Sequence, residues 1–330
     1  MSDGTAPGRR TGLIAAVAVI VVAILAVLAF WRAGSGRDGA QTLTVGDQRG
    51  GVQSLLQAAG ELDDVPYHIE WALFPAASPL LEALGSGAVD IGSIGGSPFA
   101  FAYAGGAKIK AVFAARSPTG RGSAASAIVV LAKSPLRSVA DLRGKRIATV
   151  RGSAGQDLAL QLLDHHGLKA SDVKWVYLNN GEAKAALGTG DVDAWSTWGS
   201  YVGLALLKDG DRALGDAREL PAQAGFYAAS DKAIATKRAQ LTDFVARIAR
   251  ARTWALTHRD SYAAILAKET GIPVDVARFT VEGQMLAATL LDDTVANEQR
   301  AIFERYVKAG IIPKVPSIDG AFDPSFTPKS

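Results

Sequence analysis

Residues 83–90 read ALGSGAVD, and residues 186–193 read ALGTGDVD. The two octapeptides differ at two positions and start about 100 residues apart. That is too far for a solenoid, whose period is roughly 20–50 residues, but it suits two copies of a unit of ordinary domain size, about 100 residues each. In each copy a helical run ends at a glycine turn and gives way to a β-rich run. SPLLEALGSG (78–87) leads into VDIGSIG (89–95), and GEAKAALGTG (181–190) leads into VDAWSTW (192–198). The chain therefore holds two similar α/β lobes.

Outward from these repeats the same alternation continues. TLTVG (42–46), YHIEWALF (67–74), IKAVFAA (109–115) and SAIVVLAK (126–133) read as strands. VQSLLQAAG (52–60) reads as a helix closed by Gly60, and Ser78 with Pro79, like Ser97 with Pro98, reads as a helix start. In the second copy, GSAGQDLALQLLDHHG (152–167) is a helix with Ser153 and Gln156 as its capping box. GFYAAS (225–230) is a return strand, residues 231–310 are mostly helical, and the proline-rich tail after 310 packs as extended chain. Such alternation predicts parallel α/β sheets with helices on both faces.

The predicted organisation is a segment 1–38, a first lobe begun at 39–133, a second lobe at 134–228, and a return to the first lobe at 229–330. Residues 13–31, LIAAVAVIVVAILAVLAFW, form an unbroken apolar run flanked by Arg9, Arg10 and Arg32. About 20 apolar residues cross a bilayer as a helix, and the bulky FWR end suits an uncleaved anchor better than a cleavage site. The expected product is an exported domain tethered to the membrane. GSGRDG (34–39) matches a dinucleotide fingerprint in form only, because no strand precedes it.

Composition excludes several classes. The chain has 330 residues, no cysteine and four histidines. Disulfides, thiolate metal sites and cysteine nucleophiles are therefore out. The formal charge of +3 resides mostly in the N-terminal arginines, so it makes no case for a nucleic-acid binder, which needs a basic face in the folded part. His165 and His166 fall in the last turn of a helix, where a cation suits the dipole; His68 and His258 carry no catalytic pattern. Asp90 and Asp193 read as residues that hydrogen-bond the turn entering their strands. No cofactor or metal is expected.

Anion binding is the chemistry the residues favour. Small residues begin helices directly after strands at RGG (49–51), AASP (76–79), GGSP (95–98) and RGSAG (151–155). Free N–H groups at such helix starts suit oxyanions, and Arg49 and Arg151 stand beside two of them. Trp195, Trp198, Tyr201, Phe226 and Tyr227 supply apolar cover. Glu182, at the start of a helix, is either a dipole-favoured acid or the partner of an amine.

Three stretches in order, FPAASPLLEALGSGAVDIGSIGGSPFAFAYAGG (74–106), DLRGKRIATVRGSAGQDL (141–158) and GEAKAALGTGDVDAWSTW (181–198), resemble the substrate-binding proteins of aliphatic-sulfonate and taurine ABC importers. The resemblance covers roughly 42–330. It implies a two-lobed periplasmic-binding-protein fold of the second type, a monomer that closes on a small sulfonate between its lobes and presents it to a membrane permease. Carried over by motif, the ligand contacts are Gln48 and Arg49, Ala77 and Ser78, Gly96 and Ser97, then Ser153, Ala154 and the surroundings of Trp195 and Trp198. Gly50, Arg151, Glu182 and Tyr227 join them from the residue reading. The chain departs from the family at Gly96, often acidic, and at Gly199-Ser200, commonly Asp-Pro. Alternatives are an anchored ligand sensor, or a binder of nitrate, bicarbonate, an arylsulfonate or a thiamine precursor.

Overall fold

A computed structural model describes residues 42–327. The expected anchor at 13–31 lies outside them, and no helix among the described residues is long and apolar enough to cross a membrane. Leu43–Val65 and the residues from Ile69 onward form one compact unit that holds both sheets.

The chain runs β1 (Thr42–Gln48), α1 (Gly51–Ala58), β2 (His68–Phe74), α2 (Ala77–Ser86), β3 (Ile91–Gly95), α3 (Gly96–Ala104) and β4 (Ile109–Arg116). It crosses to β5 (Ser126–Val130), β6 (Arg146–Thr149), α4 (Ala154–His165), β7 (Lys174–Tyr177), α5 (Asn180–Thr189), β8 (Ala194–Trp198), α6 (Ser200–Leu207) and β9 (Arg212–Asp216). It returns through β10 (Gly225–Ser230), α7 (Asp231–Thr236), α8 (Arg238–Ala255), α9 (Arg259–Thr270), α10 (Val274–Glu282), β11 (Ala287–Thr289) and α11 (Asp293–Lys308).

The first sheet has the order β11-β4-β10-β3-β1-β2 and the second β7-β6-β8-β5-β9. Strands joined through helices pair in parallel, β1 with β3 and β6 with β7 and β8. The expectation of parallel sheets fails at the strands that carry the chain between lobes. β10 runs antiparallel to β3 and β4, and β5 antiparallel to β8 and β9. A parallel neighbour requires a crossover helix, whereas these strands arrive straight from the other lobe. The two crossings lie side by side, with Gly122 N donating to Leu220 O (3.1 Å) and Ala222 N to Gly120 O (3.0 Å).

Two boundaries move accordingly. Ser126–Val130, expected in the first lobe, belongs to the second sheet, and β10 with Tyr227, expected in the second lobe, belongs to the first. The pattern of apolar residues marks both as buried strands but carries no information on which sheet receives them.

The repeated octapeptides do the same work in each lobe. Gly87 and Gly190 end α2 and α5 in the left-handed region (φ 73° and 82°), which only glycine enters without cost. Ala83 O then accepts from Ala88 and Val89 N, and Ala186 O from Asp191 and Val192 N. Asp90 Oδ2 accepts from Thr44 N of β1 (2.7 Å), and Asp193 Oδ2 from Arg146 N of β6 (2.8 Å). Each aspartate thus pins its turn to the neighbouring strand, where the sequence reading expects a bond within the turn itself. Lys237 also pairs with Asp90 and Arg146 with Asp193.

One apolar cluster fills the first lobe, built from Leu80, Leu84, Phe99, Phe226, Ile302, Phe303 and Tyr306. The tail closes over it: Ala111 exchanges backbone hydrogen bonds with Ala321 and Asp323. Two further clusters cover the faces of the second sheet. Leu160 of α4 reaches the first-lobe cluster, with Trp175 packed against it. Alongside, the buried Asp157 accepts from Ser97 Oγ (2.8 Å) and from the Arg305 guanidinium, joining α4 to α3 and α11.

Candidate functional site

The carboxyl ends of β1, β3 and β8 face a cavity of about 300 Å³, the position where open α/β sheets bind ligands. Gln48, Arg49, Ala77, Ser93 and Gly95 line it from the first sheet's strand ends. Ala154, Trp198, Ser200 and Tyr201 line it from the second lobe, and Phe226, Tyr227, Arg252 and Gln284 from the return segment.

Of the four helix starts expected to attract an anion, two are already occupied by the protein. Asp47, 1 % exposed, accepts from Val52 and Gln53 N and so fills the start of α1. Ser153 Oγ accepts from Gln156 N (3.2 Å) at the start of α4, while Gln156 Oε1 turns back to Gly152 N (2.7 Å). No side chain caps α2 or α3, whose N-caps are Ala76 and Gly95 rather than the expected Ser78 and Ser97. A third uncapped start is α6, entered through Gly199. Residues at all three starts line the cavity, so unpaired N–H groups and positive dipole ends converge on it.

Two guanidinium groups add charge. Arg49 adopts a left-handed φ of 56°, a conformation that costs a non-glycine residue roughly 1–2 kcal/mol. Its Nε donates to Ser200 Oγ (3.1 Å), and the group lies 4.5 Å from the centre of the Tyr201 ring. Arg49 therefore spans from β1 to the second lobe across the cavity. Arg252 is 6 % exposed. It donates to Gln284 O (3.0 Å) and Tyr227 Oη (3.0 Å), while its Nε has no partner among the described residues. Burial disfavours its charge, but the phenols of Tyr227 and Tyr262 and the Asp47 carboxylate outweigh that and hold its pKa above the ordinary arginine value. Burial pushes Asp47 up, against the backbone donors that pull it down.

With Arg252 donating to its oxygen, the Tyr227 hydroxyl keeps its own proton for the cavity. The Gln284 amide stands beside it, against Tyr262 Oη, whose one proton is shared between Gln284 Oε1 and Gly51 O. The cavity thus offers many donors against apolar walls, and neither histidine nor cysteine is among its lining residues.

A family model described as NMT1/THI5 like matches residues 73–261. The chain belongs to this family. An Escherichia coli (strain K12) relative, named for aliphatic sulfonate binding, is 35% identical over 239 residues, 72% of this chain and 74% of its own. The alkanesulfonate-binding protein SsuA of Xanthomonas axonopodis pv. citri, solved bound to MOPS, superposes with a TM-score of 0.76 at 30% identity, covering 86% of this chain and 98% of that one. The periplasmic aliphatic sulphonate binding protein SsuA of Escherichia coli superposes with a TM-score of 0.68 at 31% identity, over 83% and 89% of the two chains. The two-sheet architecture is therefore that of the periplasmic binding proteins.

Within this NMT1/THI5-like chain the residues singled out from sequence divide by position. Gln48, Arg49, Ala77, Ala154, Trp198 and Tyr227 line the cavity. Gln48 Nε2 is held by Ser93 O (2.8 Å). Gly50 is the N-cap of α1 and faces Thr270. Gly96 is packed under Ala224 O and Gln299, and Ser97 is spent on Asp157. Ser153 is spent on its helix cap. Trp195 is fully buried in the second-lobe core against Tyr201, because it alternates with Trp198 on β8 and faces the opposite way. Ser78, Arg151 and Glu182 line a second cavity.

Arg252, Gln284 and the start of α6 escape a reading by motif. A signal for Arg252 exists, shared with Arg247: both fall on the stripe Leu241, Phe244, Val245, Ile248, Ala251, Ala255 that α8 buries, where an arginine is out of place. Gly199-Ser200 follows β8 as small residues follow β3, so α6 is the same junction in the other lobe. His165 and His166 lie on the surface, His166 Nε2 meeting Glu219 Oε2 at 2.8 Å.

Proposed function

We propose that the protein captures a small organosulfonate in the first cavity by closure of its lobes, and that it does so as the extracytoplasmic binding component of an ABC importer. The observation that carries this is the convergence of three uncapped helix starts and two arginines, one of them buried with no ion pair among the described residues, on one cavity. A sulfonate spreads one negative charge over three acceptor oxygens, which suits many fixed donors better than a single ion pair. The similar proteins are named for the same ligand class.

The sulfonate contacts we assign are Gln48, Arg49 and Ala77 from the first lobe, Ala154, Trp198 and Ser200 from the second, and Tyr227, Arg252 and Gln284 from the return. Residues 13–31 would tether the monomer beside its permease. Catalysis has no support in the residues: no cysteine exists to act as nucleophile. Titration calorimetry with alkanesulfonates, taurine, sulfate, nitrate and an arylsulfonate tests the reading. Micromolar binding of a sulfonate, about −8 kcal/mol, with no turnover is the expected result. Binding of nitrate or sulfate alone would overturn it.

A further inference from the structure

A second cavity shares a wall with the first. Pro75 and Tyr201 border both, and the second, of about 610 Å³, is also lined by Arg151, Tyr177, Asn180 and Glu182. The Arg49 guanidinium against the Tyr201 ring stands at the division between them. A short alkanesulfonate seated in the first cavity would leave the second unfilled.

Donors that the protein leaves free line the second cavity, beside one carboxylate engaged in a helix cap. Asn180 is 4 % exposed; its Oδ1 accepts from Thr197 Oγ1 (3.0 Å), and its Nδ2 has no partner among the described residues. An amide donor buried without a partner is costly and rare, so this one points to a missing acceptor. Tyr177 Oη accepts from Gln156 Nε2 (2.9 Å), which leaves its proton to donate. Arg151 lies 5.6 Å from the Tyr177 ring centre and makes no ion pair among the described residues. The carboxylate that lines the cavity is engaged through one oxygen: Glu182 Oε2 accepts from Asn179 N (3.1 Å), while Asn179 Oδ1 accepts from Glu182 N (3.0 Å), closing the cap of α5. Glu182 therefore serves as a capping acid, the first of the two readings open at the sequence.

We propose that the second cavity binds the far end of the ligand and that this end carries a carboxylate. The ligand class is an alkanesulfonate with a carboxylate at its other end, the sulfonate in the first cavity and the chain passing Tyr201. This rests on the sulfonate reading of the first cavity. A carboxylate supplies the acceptors that Asn180 Nδ2 and the Tyr177 hydroxyl lack, and Arg151 supplies its counter-charge.

The test is calorimetry on the full-length protein with three series matched in chain length from two to six carbons: plain, ω-carboxy and ω-amino alkanesulfonates. At the best length the ω-carboxy compound should bind about tenfold or more tightly than the plain one, the scale of a charge-assisted hydrogen bond. Arg151→Gln and Asn180→Asp should each bring that ratio to within about twofold of one. Equal affinity of plain and ω-carboxy compounds at every length, a preference for the amine, or a ratio untouched by both substitutions would overturn this inference and leave the sulfonate reading standing. No binding by any sulfonate would remove both.

Discussion

Asp157→Asn should weaken the protein substantially without touching the cavity. The carboxylate is 1 % exposed and receives Ser97 Oγ, Gln161 Nε2 and the Arg305 guanidinium, the last 22 % exposed. Breaking a buried ion pair from one side costs about 3–5 kcal/mol, because the other charge is left uncompensated. Arg305 is open enough to regain some water, which lowers the expected cost to about 2–3 kcal/mol. At about 2 °C per kcal/mol for a chain of this size, the melting temperature should fall by about 4–6 °C. Circular dichroism melts of wild type, Asp157→Asn, Arg305→Gln and the double variant form a cycle in which the two single losses should overlap by about 1.5 kcal/mol or more. Strictly additive losses, or a single-variant melt within about 1 °C of wild type, would refute the account of α4 held to α3 and α11 by this pair.

Other expectations follow from single contacts. Arg252→Met should lower sulfonate affinity by at least about tenfold, one charge-assisted hydrogen bond, in calorimetry; unchanged affinity would remove Arg252 from the site. The Arg146 hydrogen bonds hold the Asp193 carboxyl below the usual carboxylate range, so its stabilisation is present above about pH 4 and is lost as pH falls further. Melts between pH 6 and pH 2.5 should therefore show a shallower acid loss for Asp193→Asn than for wild type, and parallel curves would contradict the pairing. Gly155→Ala gains about 1 kcal/mol of helix propensity, but its Cβ would stand 2.5 Å from Ser196 O of the adjacent strand. Backbone cannot give way as a side chain can, so the variant should melt lower; a higher melting temperature would show that α4 has room to move.

Much of the architecture was legible in the chain because it rests on local chemistry. Glycine turns after helices, alternation of apolar runs, and an aspartate entering each repeated strand are set by residues within a few positions of one another. These gave two α/β lobes and the equivalent roles of Asp90 and Asp193. The junctions at Ala77, Gly95 and Ala154 were marked in the same way, as small residues between strand and helix.

Tertiary structure decided what depends on residues far apart in sequence. Which sheet receives β5 and β10 is a matter of pairing partners about 70 to 130 residues away, and a buried strand looks alike in either sheet. Whether a helix start is free for a ligand depends on whether the protein fills it, as Asp47 does for α1 and no side chain does for α2, α3 or α6. Arg252 acquires its role only when α8 folds against β10 and carries a charge to the cavity wall, where burial makes an unpaired donor matter. Helix starts are written in adjacent residues; the balance of donors and acceptors around a cavity is a sum over distant ones.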